Sequence, residues 1–230
     1  MRRFFLKHIP ENQTFELPEE ESKHMIRVLR MNVGDTCVLL DGKGQLVEVQ
    51  INDAHPKRCG VTVLSREQKT RSSEFHLAIA PTKNSDRMEW MVEKIVEVGA
   101  TKLSFISGDH SERFALKLDR LERVAISAMK QAQHDFLLTI EPMIAFDEFI
   151  KQHPTGKIAH CMDTDKKALQ SSTITGPVLI GPEGDFSPRE IELALASGYE
   201  AIHLGTARLR TETAGLVATV LDRKSTRLNS

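Results

Sequence analysis

Residues 178–221 constrain the fold of this chain most, because they contain two successive strand–loop–helix patterns. The apolar run Val178–Ile180 has the length of a strand buried on both faces. The GPEG segment at 181–184 then interrupts regular structure, since Pro lacks a donor and Gly tolerates positive φ. Residues 201–221 repeat the pattern of strand, glycine-containing loop and helix. Both loops are therefore predicted at one edge of a parallel sheet, where open α/β folds bind ligands.

The first of the two helices has an unusually complete start signal. Ser187 suits the N-cap, Pro188 the first helical position, and Glu190 the third, so that Ser187 and Glu190 form a capping box. Gly198 is a natural C-terminal stop. We expect a helix that begins at 188 and holds the preceding loop in a fixed position.

The composition excludes several classes of protein. Its 40% hydrophobic and 27% charged residues are ordinary for a globular protein, and no apolar run approaches the ~20 residues of a membrane helix. Three widely spaced cysteines suggest neither a disulfide framework nor a zinc knuckle, and the nine histidines form no metal-binding motif. We therefore expect a cytoplasmic protein without a metal and without a membrane anchor.

Two domains are indicated by a change of pattern near residue 70. Residues 1–70 contain short β-rich runs, a strong hairpin signal at Asp41-Gly42, and a short helical candidate over 22–30, which together suggest a small barrel. The polar segment 67–74 is the expected linker. Strands and helices alternate after it, so residues 71–230 are predicted to form a parallel α/β domain.

Four segments carry a resemblance to a known family. They are the loops GPEGDFS and LGTARLRTETAG, the run PTKNSDRMEWMVEKIVEVGA at 81–100, and the N-terminal RRFF and HMIRVLR followed by Gly34-Asp35. Together they resemble the ribosomal RNA small subunit methyltransferase E family, the uridine-N3 methyltransferases of the SPOUT superfamily. The resemblance covers most of residues 1–221.

The resemblance implies an architecture that periodicity alone does not. It implies a PUA-like RNA-binding β-barrel over 1–70 and a SPOUT methyltransferase domain with a deep trefoil knot over 71–230. It also implies a homodimer whose active site lies at the subunit junction. The small residues Ala214, Gly215 and Ala218 lie at helical spacing and permit close approach, either within the knot or at the dimer contact.

The family further implies S-adenosylmethionine as the cofactor and small-subunit (16S) rRNA, within the assembled 30S subunit, as the partner. By motif match, the cofactor-binding residues are expected to be Ile180, Gly181, Gly184, Leu204, Gly205 and Leu209. The residues expected to contact RNA are Arg3, Arg27, Arg30 and Lys83.

Three residues are expected to carry the chemistry. Uridine N3 bears a proton, so the reaction needs a base or a cation that stabilises the uridinate. Arg210 can donate two coplanar hydrogen bonds and stays protonated. Glu183, ahead of Glu212, is the expected proton acceptor, because Glu212 also occupies a position where a helix start favours an acid.

Other functions stay open at this point. The chain could be a SPOUT methyltransferase acting on another RNA, or an RNA-binding protein without catalysis, although the latter does not explain the particular C-terminal loops. An enzyme that holds an anion at the helix after GPEG would place Glu183 and Asp185 beside negative charge, whereas a sulfonium cofactor suits carboxylates. No G-x-G-x-x-G is present, which disfavours the open-sheet methyltransferases and NAD enzymes.

Overall fold

The computed structural model describes residues 1–112, 115–163, 165–169 and 176–228, with side chains described as far as Asp222. Backbone contacts divide the chain into two compact units. The first unit comprises Met1–Ser72 together with Met129–Leu137, and the second comprises Ser73–Ala128 and Leu138–Ser230. The segment Met129–Leu137, which lies within 71–230 in sequence, thus clusters with the N-terminal residues.

The first unit is built on a five-stranded mixed sheet in the order β1-β3-β4-β5-β2, with β1 parallel to β3 and the other pairs antiparallel. Its strands are β1 Arg3–Phe5, β2 Thr14–Glu16, β3 Thr36–Leu40, β4 Gln45–Asp53 and β5 Gly60–Gln68. The hairpin expected at Asp41-Gly42 is confirmed, since β3 and β4 pair around it. The Asp41 carboxylate accepts the backbone N–H groups of Lys43 and Gln45, and Gly42 has φ +72°.

The helix predicted over 22–30 is replaced by two shorter elements. Helix α1 covers Glu19–Lys23, and a π-helical turn covers His24–Val28. The Leu29 N–H donates to the His24 carbonyl at 3.0 Å, which is the wider spacing of a π-helix. Met25 is fully buried by this arrangement, and Arg30 adopts a left-handed φ of 53°. Sequence spacing could not distinguish this irregular turn from an α-helix.

The segment Met129–Leu137 completes the first unit through Asp135. The Asp135 carboxylate pairs with Arg3 and with Lys69, whose Nζ lies 2.9 Å away. The Arg71 guanidinium carbon lies 4.8 Å from the centroid of the Phe136 ring, within the range of a cation–π contact. The Leu137 N–H donates to the Gly42 carbonyl at 2.8 Å. These contacts tie 129–137 to the ends of β1 and β5 and to the β3–β4 turn.

The second unit contains a seven-stranded, entirely parallel sheet in the order β10-β12-β9-β11-β6-β7-β8. Its strands are β6 His76–Ile79, β7 Lys102–Ser107, β8 Thr139–Ala145, β9 Gly156–Ala159, β10 Lys167–Ala168, β11 Val178–Ile180 and β12 Tyr199–His203. The remaining helices in the described part of the chain are α2 Ser85–Val98, α3 Leu118–Gln131, α4 Phe146–Gln152, α5 Pro188–Ala196 and α6 Thr211–Leu228. The parallel α/β arrangement expected after residue 70 is confirmed.

Helix α6 packs closely on the sheet of its own chain at Gly215. A β-carbon at this position would lie 3.0 Å from Ile79 Cδ1 and 3.1 Å from Met91 Sδ, so only glycine fits without displacement. Ala218 is fully buried. The small-residue face therefore permits α6 to approach β6 and α2 within one subunit. Among the described residues, no helix is long and apolar enough to cross a membrane.

Candidate functional site

A cavity of about 410 Å³, the first cavity, lies at the carboxyl ends of three neighbouring strands of the second unit. The loops after β9, β11 and β12 line it, together with the start of α6. This is the sheet edge that the strand–loop–helix patterns predicted. Five of the expected cofactor-binding residues line this cavity: Ile180, Gly181, Leu204, Gly205 and Leu209. Gly184, the sixth, lines a different cavity described below.

Asp185 fixes the loop after β11. It adopts a left-handed φ of 65°, which an aspartate tolerates better than most residues. Its carboxylate accepts the Cys161 N–H at 2.7 Å and the Phe186 N–H at 2.9 Å. Asp185 therefore joins the loops after β9 and β11, two walls of the first cavity, by hydrogen bonds that a glycine could not make.

The predicted capping box at the start of α5 is confirmed, and it extends to a second loop. Ser187 accepts from the Glu190 N–H, and Glu190 accepts from the Ser187 N–H at 2.8 Å. The other Glu190 oxygen accepts the Asp109 N–H at 3.0 Å, and the Ser187 hydroxyl donates to the Asp109 carboxylate. Hydrogen bonds from Arg189, then Ser187, hold the pKa of Asp109 below its usual range. The loop after β7 is thereby fastened to the start of α5.

Arg87 connects the two candidate proton acceptors. Its Nη1 lies 3.4 Å from Glu183 Oε1, and its Nε lies 3.7 Å from Glu212 Oε1. The Glu212 side chain is only 7% exposed, and its Oε2 has no hydrogen-bond partner among the described residues. Glu183 lines the first cavity, whereas Glu212 is not among its lining residues. Arg87 lies in the 81–100 run quoted above, but sequence spacing gave no reason to connect it with either carboxylate.

A second cavity of about 560 Å³ shares two residues, Pro182 and Glu183, with the first. Its other walls come from the loops after β6 and β7 and from Gly184. Lys83 lies here and pairs with Glu112 at 2.9 Å. His110 also lines this cavity, and its Nδ1 lies 3.0 Å from the Asp185 carbonyl oxygen. Sequence reasoning did not identify His110.

The remaining predicted site residues are dispersed. Arg210 is exposed, and its carbonyl oxygen accepts a hydrogen bond from the Ala214 N–H in the first turn of α6. The residue is not among those that line either cavity. Arg27 and Arg30 are exposed on the first unit. Arg3, in contrast, is only 15% exposed and is engaged by Asp135. The structure therefore gives Arg3 a structural contact within its own unit.

His160 is a residue of the first cavity that the sequence gave no reason to select. It follows β9, it is only 6% exposed, and neither ring nitrogen has a hydrogen-bond partner among the described residues. Burial, followed by the nearby charge of Lys166, lowers the pKa of its imidazole. A neutral imidazole that lines a cavity without partners is suited to hydrogen-bond a polar ligand.

In the part of the chain that the structure describes, no group of three or more His, Cys, Asp or Glu residues is arranged to bind a metal ion. The walls of the two cavities instead combine glycine-containing backbone and apolar side chains with acidic, basic and imidazole side chains. Such a composition suits an organic ligand held by backbone groups.

Comparisons with known proteins agree with one another. A family model described as an RNA methyltransferase domain matches residues 69–221, and one described as an RNA methyltransferase PUA domain matches 17–64. A probable rRNA-methyltransferase from Porphyromonas gingivalis is 38% identical, with full coverage of both chains and a TM-score of 0.88. A ribosomal RNA small subunit methyltransferase E from Neisseria gonorrhoeae, bound to S-adenosylmethionine in its crystal structure, is 25% identical with 97% of each chain covered and a TM-score of 0.83. The protein of that name from Bacillus subtilis is 27% identical, with 95% of this chain and 94% of the relative covered.

Proposed function

We propose that this chain, which belongs to the ribosomal RNA small subunit methyltransferase E family of RNA methyltransferases, methylates N3 of a specific uridine in 16S rRNA. The methyl donor is S-adenosylmethionine. The observation that carries the proposal is the first cavity, at the ends of β9, β11 and β12.

The first cavity fits this cofactor in three respects. Gly205 has φ +126° and no atom within 4 Å of the place where a β-carbon would be, so the backbone there is open to a ligand. The carboxyl-bearing residues Glu183 and Asp185 line the cavity alongside two basic residues, and a carboxylate close to the sulfonium favours its positive charge. The unpartnered His160 ring supplies a neutral polar group. When bound, S-adenosylmethionine supplies an electrophilic methyl group.

The chain's own residues prepare the acceptor. The proton on uridine N3 must first pass to a base, so that the nitrogen lone pair can form a bond to the methyl carbon. The electron pair of the broken carbon–sulfur bond then stays on sulfur. We assign Glu183 as the proton acceptor ahead of Glu212, because Glu183 lines the cavity and Glu212 does not. Arg210 stabilises the charge spread over the uracil carbonyl oxygens.

The N-terminal domain, residues 1–70 in our division, is proposed to be the RNA-binding PUA-like barrel. Arg27 and Arg30 are exposed on it and are suited to phosphate contacts. Lys83, on the methyltransferase domain of residues 71–230, is 65% exposed and adds a third cation. Since Arg3 is engaged by Asp135, its contribution to RNA binding is to hold the strand that bears it.

We further propose that the protein acts on the assembled 30S subunit as a homodimer, and that its C-terminal domain contains the family's trefoil knot. The exposure of Arg210 supports a site that a second copy completes, because a residue for charge stabilisation would otherwise lie in solvent. A SPOUT enzyme acting on another RNA has the same cofactor site, and only the substrate assay separates the two.

Two measurements on the full chain test the function. Labelled S-adenosylmethionine and small-subunit particles that lack the modification should yield N3-methyluridine in 16S rRNA. Calorimetry should show cofactor binding by the wild-type protein and its loss in Gly205→Trp, whose side chain occupies the first cavity. Gly34→Trp is the matched control, since Gly34 has φ +95° and equally open surroundings but lies in the first unit. Equal cofactor affinity in Gly205→Trp and in the wild type would reject the cofactor site.

A further inference from the structure

We infer that the second cavity receives the uridine to be methylated, as a nucleotide turned out of its RNA strand. The inference rests on the proposed function and assigns a place to its substrate. A base that undergoes chemistry must leave the stacked strand and enter a pocket of its own. The second cavity, at about 560 Å³, lies within the range of pockets that enclose small molecules.

Its position relative to the first cavity is what methyl transfer requires. Reacting atoms must approach to roughly 3–3.5 Å before transfer, so the acceptor pocket has to adjoin the cofactor pocket. Pro182 and Glu183 belong to the walls of both cavities. A nucleotide in the second cavity therefore meets a cofactor in the first cavity across Glu183, the residue assigned to take the proton.

The groups that line the second cavity favour uracil over cytosine at the N3 position. The Asp185 carbonyl can only accept a hydrogen bond, so His110 Nδ1 must carry the proton of that contact. In the neutral imidazole, Nε2 is then an acceptor, as is the Glu183 carboxylate. An acceptor placed at N3 receives a hydrogen bond from the N3–H of uracil and is repelled by the N3 lone pair of cytosine, whose donor lies instead on the N4 amino group.

Donors for the uracil carbonyl groups or the ribose phosphate are also present. Lys83 and Ser111 line the same cavity. The Lys83–Glu112 pair is exposed on both sides, at 65% and 52%, and exposed pairs contribute only about 0–1 kcal/mol. Lys83 can therefore exchange Glu112 for a nucleotide oxygen at little cost.

The walls of this cavity are held in place before any ligand binds. The loop after β7 is fastened to α5 through the Asp109–Ser187 and Asp109–Glu190 hydrogen bonds. His110 is held by Asp185, whose carboxylate in turn binds the loop after β9. A pocket built on such mutually bonded loops orients a base without a large rearrangement.

Filling the second cavity while leaving the first one open tests the assignment. Gly184 lines only the second cavity, and a β-carbon there would make an ordinary 3.4 Å contact with His110. Gly184→Ala should fold, and because its methyl group fills little of the cavity, its kcat/KM should fall less than that of Gly184→Leu. Gly184→Leu should lower kcat/KM by at least 100-fold, while its affinity for S-adenosylmethionine by calorimetry stays within about threefold. Wild-type kcat/KM in Gly184→Leu would overturn the inference.

A photochemical measurement covers the case in which Gly184→Leu fails to fold. Small-subunit RNA that carries 4-thiouridine at the modified position is irradiated with wild-type protein, and the crosslinked peptide is identified. Attachment within 81–83 or 109–112 supports the assignment, and attachment only in the first unit refutes it. This readout needs no methyl transfer. If the wild-type protein does not bind the cofactor, the proposed function is rejected. If the protein is active but the crosslink lies only in the first unit, the substrate pocket alone is rejected.

Discussion

Arg87 Nε lies 3.7 Å from Oε1 of the buried Glu212, while the other Glu212 oxygen has no partner among the described residues. An ionised carboxylate at 7% exposure depends on the cation beside it, because few other groups replace its lost hydration. The same guanidinium contacts Glu183 at 3.4 Å. Arg87 therefore links the stability of the α6 start to the geometry of the proposed proton acceptor.

The first prediction is that Arg87→Met destabilises the protein by about 1–3 kcal/mol, because Glu212 is left buried without its cation. In a Glu212→Gln background the same substitution should cost less than about 1 kcal/mol, since the uncompensated charge is gone. Urea unfolding at pH 7 measures both. Arg58→Met, which removes an ion pair exposed at 61% on both sides, is the control and should cost about 0–1 kcal/mol. Equal costs of Arg87→Met in the two backgrounds would contradict the pairing.

A second prediction concerns Arg210. The pKa of uridine N3 lies roughly two units above neutral pH, so forming the uridinate at pH 7 costs about 3 kcal/mol. Loss of the stabilising cation in Arg210→Ala should lower single-turnover methylation by about 100-fold or more, with cofactor affinity within a few fold of wild type. Arg210→Lys should recover part of the rate, because it restores the charge but not the two coplanar donors. Wild-type turnover in Arg210→Ala would exclude this role.

The third prediction is a pH dependence of stability that originates at His76. Ser104 donates its hydroxyl proton to Glu141, so the His76 Nε2 at 2.7 Å must donate to the Ser104 oxygen. Burial, then the charges of Lys102 and His153, lowers the pKa of His76 to about 4, against the opposing effect of Glu141. The unfolded chain binds this proton near pH 6.5 and the folded chain only near 4. The free energy of unfolding should therefore decrease as the pH is lowered from about 6.5 to about 4, by up to ~1.4 kcal/mol per pH unit.

The variant His76→Gln keeps a donor for Ser104 and removes the titrating group. Its stability should consequently change less with pH than that of the wild type between about 6.5 and 4. A residual slope is expected from His153, whose pKa burial also lowers. Denaturant unfolding at half-unit pH steps provides the comparison. Identical slopes for the variant and the wild type would show that His76 does not carry the effect.

A fourth prediction is a reduced salt dependence of RNA binding when Arg27 and Arg30 are replaced. Each phosphate contact contributes roughly one unit to the slope of log K against log salt. Because Arg30 has φ 53°, Arg27→Ala with Arg30→Gly removes both charges and keeps the backbone unstrained. The matched control is Lys57→Ala with Arg58→Ala, which removes two exposed charges of the same unit. An unchanged slope in the first double variant would assign RNA binding to other residues.

The fifth prediction is the assembly. Light scattering should give twice the 25.8 kDa mass of the chain at micromolar concentration. The small-residue face of α6 is used within the subunit, since Gly215 contacts Ile79 and Met91. Substituting Gly215 by Ala should therefore destabilise the monomer fold rather than dissociate the dimer selectively. A 25.8 kDa particle in the wild-type sample would refute the homodimer.

Local features of the site were predictable from the sequence. The Ser187–Glu190 capping box depends on residues three apart, and the strand at Val178–Ile180 on a short apolar run, so both could be identified without tertiary information. Strand β8 leaves little signal in the sequence, because it contains Pro142 and lies at the sheet edge, where buried and exposed residues alternate weakly. Irregular elements such as the π-helical turn His24–Val28 likewise leave no periodic signal.

The contacts that assemble the site could not be predicted, because they join residues far apart in the chain. Arg87 and Glu183 are separated by 96 positions, and Asp109 and Ser187 by 78. Charge and spacing give no partner at such separations. The family resemblance supplied the loops, but not His110 or His160, which became visible only when the cavities were located.

The discontinuity of the first unit has a consequence for synthesis of the chain. Arg3 and Lys69 leave the exit tunnel long before Asp135, the acid that pairs with both. At typical translation rates of about 5–20 residues per second, the roughly 60 residues between Ser72 and Asp135 add about 3–12 s. During that interval the N-terminal sheet is exposed without its closing segment. The first unit is therefore completed only after Ser73–Ala128, a part of the second unit, has been synthesised.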